Sequence, residues 1–238
     1  VSQRIFIVTG AKGGVGTTTL AAKLVQRFPA PADRMIVDAD LSGKRSLAIL
    51  YDLSDDLDLS RVIGSATVVQ APGGPLVMEL ARTYEDGLVQ TSGSTTRALA
   101  ALGEHALIVV DAPQPFASAV RPFLMRAAKI LVVSESTMLG VSSALAVLTA
   151  MHRFGIAASR IALVQSDVRG KTDVPRSDVE RMLGVPVSAE MPNASDRRYE
   201  GRFDGLLTLL AASTPHVGAT AVEKPVFDRR YDAGEAMR

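Results

Sequence analysis

The residues best placed to do chemistry are Gly13, Gly14 and Gly16, with Thr17, Thr18 and Thr19 directly behind them, inside the run IFIVTGAKGGVGTTTLAA at positions 5–22. Glycines at that spacing let successive backbone N–H groups turn inward, and a helix starting just beyond them adds its positive end; together these cradle phosphate oxygens. A hydroxyl at Thr18 then stands where a phosphate loop places its Mg2+ ligand. A glycine cluster by itself is usually only a tight turn. What separates the two readings is the elements on either side.

Those elements agree with the phosphate reading. Ile5, Phe6, Ile7 and Val8 form a short apolar run without a polar interruption, the pattern of a strand buried on both faces. Beyond the loop, Leu20, Ala21, Leu24, Val25 and Phe28 recur at helical spacing. The loop departs from the pattern G-x-x-x-x-G-K-[ST] at two places, with alanine at 11 and threonine at 17. The usual phosphate-neutralising lysine is therefore missing, and Lys12 is the loop's only cation.

The order K-G-G-V-G-T-T resembles the deviant Walker ATPases, the ParA and MinD group. The missing second lysine makes it most similar to the CpaE and TadZ pilus-assembly branch. The resemblance covers most of residues 4–213. It implies a P-loop NTPase fold of the MinD-like kind, ATP and Mg2+ as cofactors, and a homodimer closed around ATP, with Lys12 reaching the partner's phosphates. It also implies nucleotide contacts from Gly13, Gly14, Val15, Gly16, Thr17, Thr18 and Thr19. The resemblance further implies a cytoplasmic protein that positions or helps assemble a partner, here a pilus-assembly or secretion machine, concentrated at a cell pole through that partner. The alternative is a ParA-type ATPase riding on nonspecific DNA, and a metabolic ligase or kinase on the same fold is a second one.

Further carboxylates fall where such a site needs them. Residues 35–40 read as a second buried strand with Asp38 and Asp40 at its C-terminal end, the end at which open α/β sheets place ligand chemistry. The resemblance implies that Asp40 orients the attacking water and that Asp38 has a supporting or metal-shell role. A helix cap or an exposed loop carboxylate is the ordinary alternative for both. Residues 106–111 form another apolar run ending in Asp111, which can hold Mg2+ through water beside Thr18. Residues 42–45 and 113–117 become the two switch segments, with Lys44 and Arg45 either sensing phosphate or simply solvated. Gln165 stands where relatives place an adenine-reading asparagine, and Pro192 where they place a proline near the base; an ordinary loop role is open for each.

Elsewhere the sequence predicts helices at 57–63, 94–102 (capped by Ser94), 142–154, 176–183 and 201–212. It predicts strands at 75–80, 129–134, 160–165 and 185–191. Strands alternating with helices mean an α/β fold, a mainly parallel twisted sheet with helices on both faces. One ATPase domain over 1–215 and a polar tail over 216–238 are expected, without an amphipathic membrane anchor. The 238 residues, 47% hydrophobic, suffice for one such domain, and a net charge of +1 advertises no broad field for nucleic acid. Arg197, Arg198 and Arg202 are the one local basic cluster, readable as a DNA contact or a solvated surface. The absence of cysteine excludes disulfides, thiolate metal sites and a cysteine-ligated iron–sulfur cluster. No apolar run approaches the ~20 residues that cross a bilayer. The chain opens at Val1 and enters its first strand at once, and pilus-branch relatives carry a receiver-like domain first, so such a segment is expected to be missing.

Overall fold

A computed structural model of the chain describes residues 3–29, 33–53, 61–63, 65–103, 105–167, 173–193 and 195–213. The first apolar run is strand β1 (Arg4–Gly10), and it lies inside the sheet between β6 (Leu107–Asp111) and β7 (Lys129–Ser134), parallel to both. Its side chains alternate: Ile5 and Ile7 join the core on one face, Phe6 and Val8 the core on the other. That is why no position in the run tolerates a polar residue. Phe6 is fully buried and meets Phe28 edge-on at 5.1 Å between ring centroids. Burying one such ring contributes roughly 2–3 kcal/mol.

Among the described residues the sheet has nine strands, in the order β3-β4-β5-β2-β6-β1-β7-β8-β9. Strands β2 (Arg34–Asp38), β5 (Leu76–Glu79), β8 (Ile161–Ser166) and β9 (Val187–Met191) continue the parallel run. Only β3 (Arg61–Ile63) and β4 (Ala66–Gln70), at one edge, are antiparallel. Helices α1 (Thr17–Arg27), α2 (Ser46–Leu50) and α8 (Tyr199–Ala211) pack on one face. Helices α4 (Ser92–Leu102), α5 (Arg121–Arg126), α6 (Met138–Arg153) and α7 (Arg176–Leu183) pack on the other, and the short α3 (Tyr84–Val89) has no buried residue. The link from β1 to β2 therefore crosses one face while the link from β6 to β7 crosses the opposite one. This topology opens a crevice beyond the C-terminal ends of β1, β6 and β7. Among the described residues no helix is long and apolar enough to cross a membrane.

Several expected boundaries change. Residues 61–63 are strand, not the end of a helix, because they pair with β4; the rest of that expected helix lies outside the described residues. Thr91, not Ser94, caps α4. The Thr91 hydroxyl accepts from Ser94 N–H, and Ser94 Oγ accepts from Thr91 N–H, a reciprocal box that puts Ser94 inside the first turn. Helix α6 starts four residues before its expected position 142, since Thr137 caps it by accepting from Gly140 N–H. The last helix begins at Tyr199 and the last strand at Val187. The expected polar tail lies outside the described residues.

Candidate functional site

Gly10 ends β1 opposite Val133 of β7, and Ala11 N–H donates to Val133 O at 2.8 Å, so the loop leaves the sheet along the end of β7. It then turns through Gly14 and Gly16, whose φ angles of 78° and 88° lie in the left-handed region open to glycine. Gly16 is the residue before α1, and among the described residues no side chain caps that helix. The first-turn N–H groups, at 17–19, thus keep their capacity for an outside acceptor.

Two parts of the expected metal site meet directly. Thr18 Oγ1 donates to Asp111 Oδ2 at 2.6 Å, across 93 residues of sequence. Asp111 is 2% exposed, and its Oδ1 has no hydrogen-bond partner among the described residues. Burial pushes its carboxyl up to about 7; the Thr18 bond works against this, and the Asp38 and Asp40 charges add to it. A buried carboxylate oxygen left over beside a hydroxyl fits a hydrated divalent cation, whose charge would favour the ionised form. Among the described residues no three or more His, Cys, Asp or Glu side chains converge on a protein-only cage. A cation here would complete its shell with phosphate and water, the habit of Mg2+.

The β2 end is ordered by its own carboxylates. Asp38 Oδ1 accepts from Asp40 N–H at 3.1 Å and Oδ2 from Leu47 N–H at 3.3 Å, tying the strand end to the start of α2. Burial pushes Asp38 up to about 6 in spite of those bonds. Asp40 Oδ1 accepts from Ser42 N–H at 2.9 Å and from Gln114 Nε2 at 3.5 Å, while Gln114 Oε1 accepts from Leu41 N–H at 3.4 Å. Gln114, in the expected second switch segment, therefore ties itself to Asp40 and Leu41, just before the expected first one, a role missing from the sequence reading. Its only signal there was an amide between Pro113 and Pro115, just past Asp111. Arg45 is not simply solvated. It grips the buried Glu79 with Nε at 2.7 Å and Nη2 at 3.2 Å, and Arg82 approaches the same carboxylate at 3.7 Å. Lys44 is exposed.

Lys12 lies 2.5 Å from Glu135, a residue that is 5% exposed. The loop residues Val15, Gly16 and Thr19 line a slot of about 140 Å³ together with Met191, Pro192 and Tyr199. It adjoins a more polar cleft of about 330 Å³ that Gln165, Asp167, Pro192 and Arg202 help line. Gln165 is buried between Ser134 and Glu190 on the neighbouring strands, and its Nε2 has no partner among the described residues. In the basic cluster all three arginines are exposed, and Arg198 is paired with Asp196 at 2.7 Å.

No protein-family model and no curated protein sequence matches the chain. Solved structures do match it over most of their length. A plasmid partition protein from Borrelia burgdorferi superposes with a TM-score of 0.67 at 13% identity, over 89% of this chain and 99% of that one. A ParA family ATPase from Chlorobium tepidum gives 0.60 at 20% identity, over 89% and 92%. The septum site-determining protein MinD of Pyrococcus horikoshii, complexed with Mg-ADP, gives 0.60 at 19% identity, over 86% of each chain. The chain has the P-loop fold of the ParA and MinD ATPases.

Proposed function

We propose that this chain is an ATP-binding positioning or assembly protein that closes into a sandwich dimer around ATP and Mg2+, and that it serves a pilus-assembly or secretion machine in the manner of the CpaE and TadZ branch. The Thr18–Asp111 hydrogen bond carries the reading. It joins the hydroxyl of a phosphate loop to the carboxylate ending the neighbouring strand, the pair that a phosphate-bound Mg2+ needs. The fold shared with the Mg-ADP complex of MinD supports the same cofactors. The K-G-G-V-G-T-T loop supports the pilus branch.

The roles divide as follows. Backbone N–H groups from Gly13 to Thr19 hold the phosphates, and Thr18 with Asp111 holds the Mg2+, with Asp38 adding negative charge behind them. The Mg2+, when bound, neutralises charge on the phosphate oxygens. Asp40, kept in place by Gln114, orients the water. The slot at Val15, Thr19 and Pro192 takes the base, with Gln165 in the adjoining cleft. Threonine at 17 removes a cation that would stabilise the transferring group, so hydrolysis is slow. Calorimetry with Mg·ATP tests the site: Thr18→Ala and Asp111→Asn should weaken binding by roughly 10–100-fold, as should EDTA on the wild type. Equal affinity in all of these, or steady-state phosphate release as fast as that of lysine-bearing phosphate loops, would overturn the reading.

Exposed Arg197 and Arg202 favour one second reading, ATP-dependent binding to nonspecific DNA. Retention on DNA that needs ATP, weakens with salt and is lost when both arginines are changed to alanine would select it.

A further inference from the structure

The loop's only cation is already engaged inside its own chain. Gly10 pairs with Val133, and two residues beyond each of them Lys12 meets Glu135, continuing the parallel register. The lysine side chain is 20% exposed and the glutamate 5%, so water and salt screen the pair only weakly. The glutamate is fixed by the turn it starts. Ser134 Oγ donates to Gly140 O at 2.9 Å, Thr137 caps Gly140, and a Cβ on Gly140 would stand 2.3 Å from Glu135 O. A substituted residue 140 would have to push the Glu135 backbone aside.

We propose that Glu135 is the positioning residue for Lys12 and sets the nucleotide preference of the single chain, withholding the lysine's charge from the chain's own phosphates. The inference rests on the phosphate-loop reading above. With threonine at 17 and Lys12 neutralised by Glu135, a single chain holds phosphate by backbone N–H groups, the helix end and Mg2+ alone. An additional phosphoryl group then gains little, because no uncompensated lysine meets its added charge. Neutralising Glu135 releases Lys12 and removes a negative charge beside the loop. Both changes favour a triphosphate over a diphosphate.

The test is the affinity of the full chain for Mg·AMPPNP and for Mg·ADP, measured by calorimetry at a concentration where it is monomeric. Glu135→Gln should tighten AMPPNP binding by about tenfold and ADP binding by about threefold or less, the scale of one charge-assisted contact. In a Lys12→Ala background the same change should shift the ratio of the two affinities by less than about twofold, because the lysine is its intermediary. Glu135→Asp, which keeps the charge on a shorter arm, should fall between, and decides the matter on the same ratio if the glutamine variant does not fold. A merely structural role would lower the melting temperature without moving that ratio. If AMPPNP binds but the ratio is the same in wild type, Glu135→Gln and Glu135→Asp, the assignment to Glu135 falls and the phosphate-loop reading stands. If neither nucleotide binds any variant, the reading of the loop falls and takes this inference with it.

Discussion

At the scale of single residues, Asp111 is the group whose charge the fold makes expensive. Its carboxyl is pushed to about 7 by burial, and Asp38, pushed to about 6, shares the condition. The sign follows from linkage. Between the ordinary carboxylate value and these raised values, the folded chain keeps protons that the unfolded chain has lost, so stability falls as pH rises through that window. The metal-free, nucleotide-free chain should therefore melt higher near about pH 6 than near about pH 8, and Asp111→Asn should flatten much of that slope. Parallel melting-temperature curves for the two proteins would contradict the assignment. The loop and all three aspartates were legible in the sequence because each is a polar break at the end of an apolar run. Their partners were not. Glu135 and Gln114 act across 123 and 74 residues of chain, and only the strand register brings them home.

At the scale of elements, the segment after β2 is held at both ends. Asp38 accepts from the first turn of α2, and Arg45, the residue before that helix, has a φ of 53° and grips Glu79 on β5. A left-handed arginine is costly, and the bidentate ion pair offsets that cost. Glu79→Ala leaves two arginines facing a buried void and should destabilise the chain by about 3 kcal/mol in urea unfolding. A loss near zero would show that the pair does not hold the segment. Elements with long buried runs or clear helical spacing, such as β1, β6, β7 and α7, could be read from the sequence because burial on both faces leaves a continuous apolar signal. The edge hairpin β3–β4 and the six-residue helices α3 and α5 could not. They are too short for periodicity to accumulate; strand pairing decides the hairpin, and capping at Thr83 and Asp86 decides α3.

At the scale of the whole molecule, the crevice beyond β1, β6 and β7 gathers the loop, the ends of β2 and β6 and the start of α6 on one face. Met138 and Leu139, at 59% and 67% exposure, stand on that same side at the first turn of α6, just after Glu135. In the proposed sandwich dimer a second copy of the chain meets this face, and Lys12 serves across the contact once nucleotide is bound. The most direct measurement is solution mass by light scattering, without nucleotide and with Mg·ATP, for the wild type and Lys12→Ala. ATP should double the mass of the wild type and leave Lys12→Ala a monomer although it still binds nucleotide. A wild-type mass that never changes while ATP is bound would contradict the sandwich dimer, leaving a chain that holds nucleotide without using it to pair.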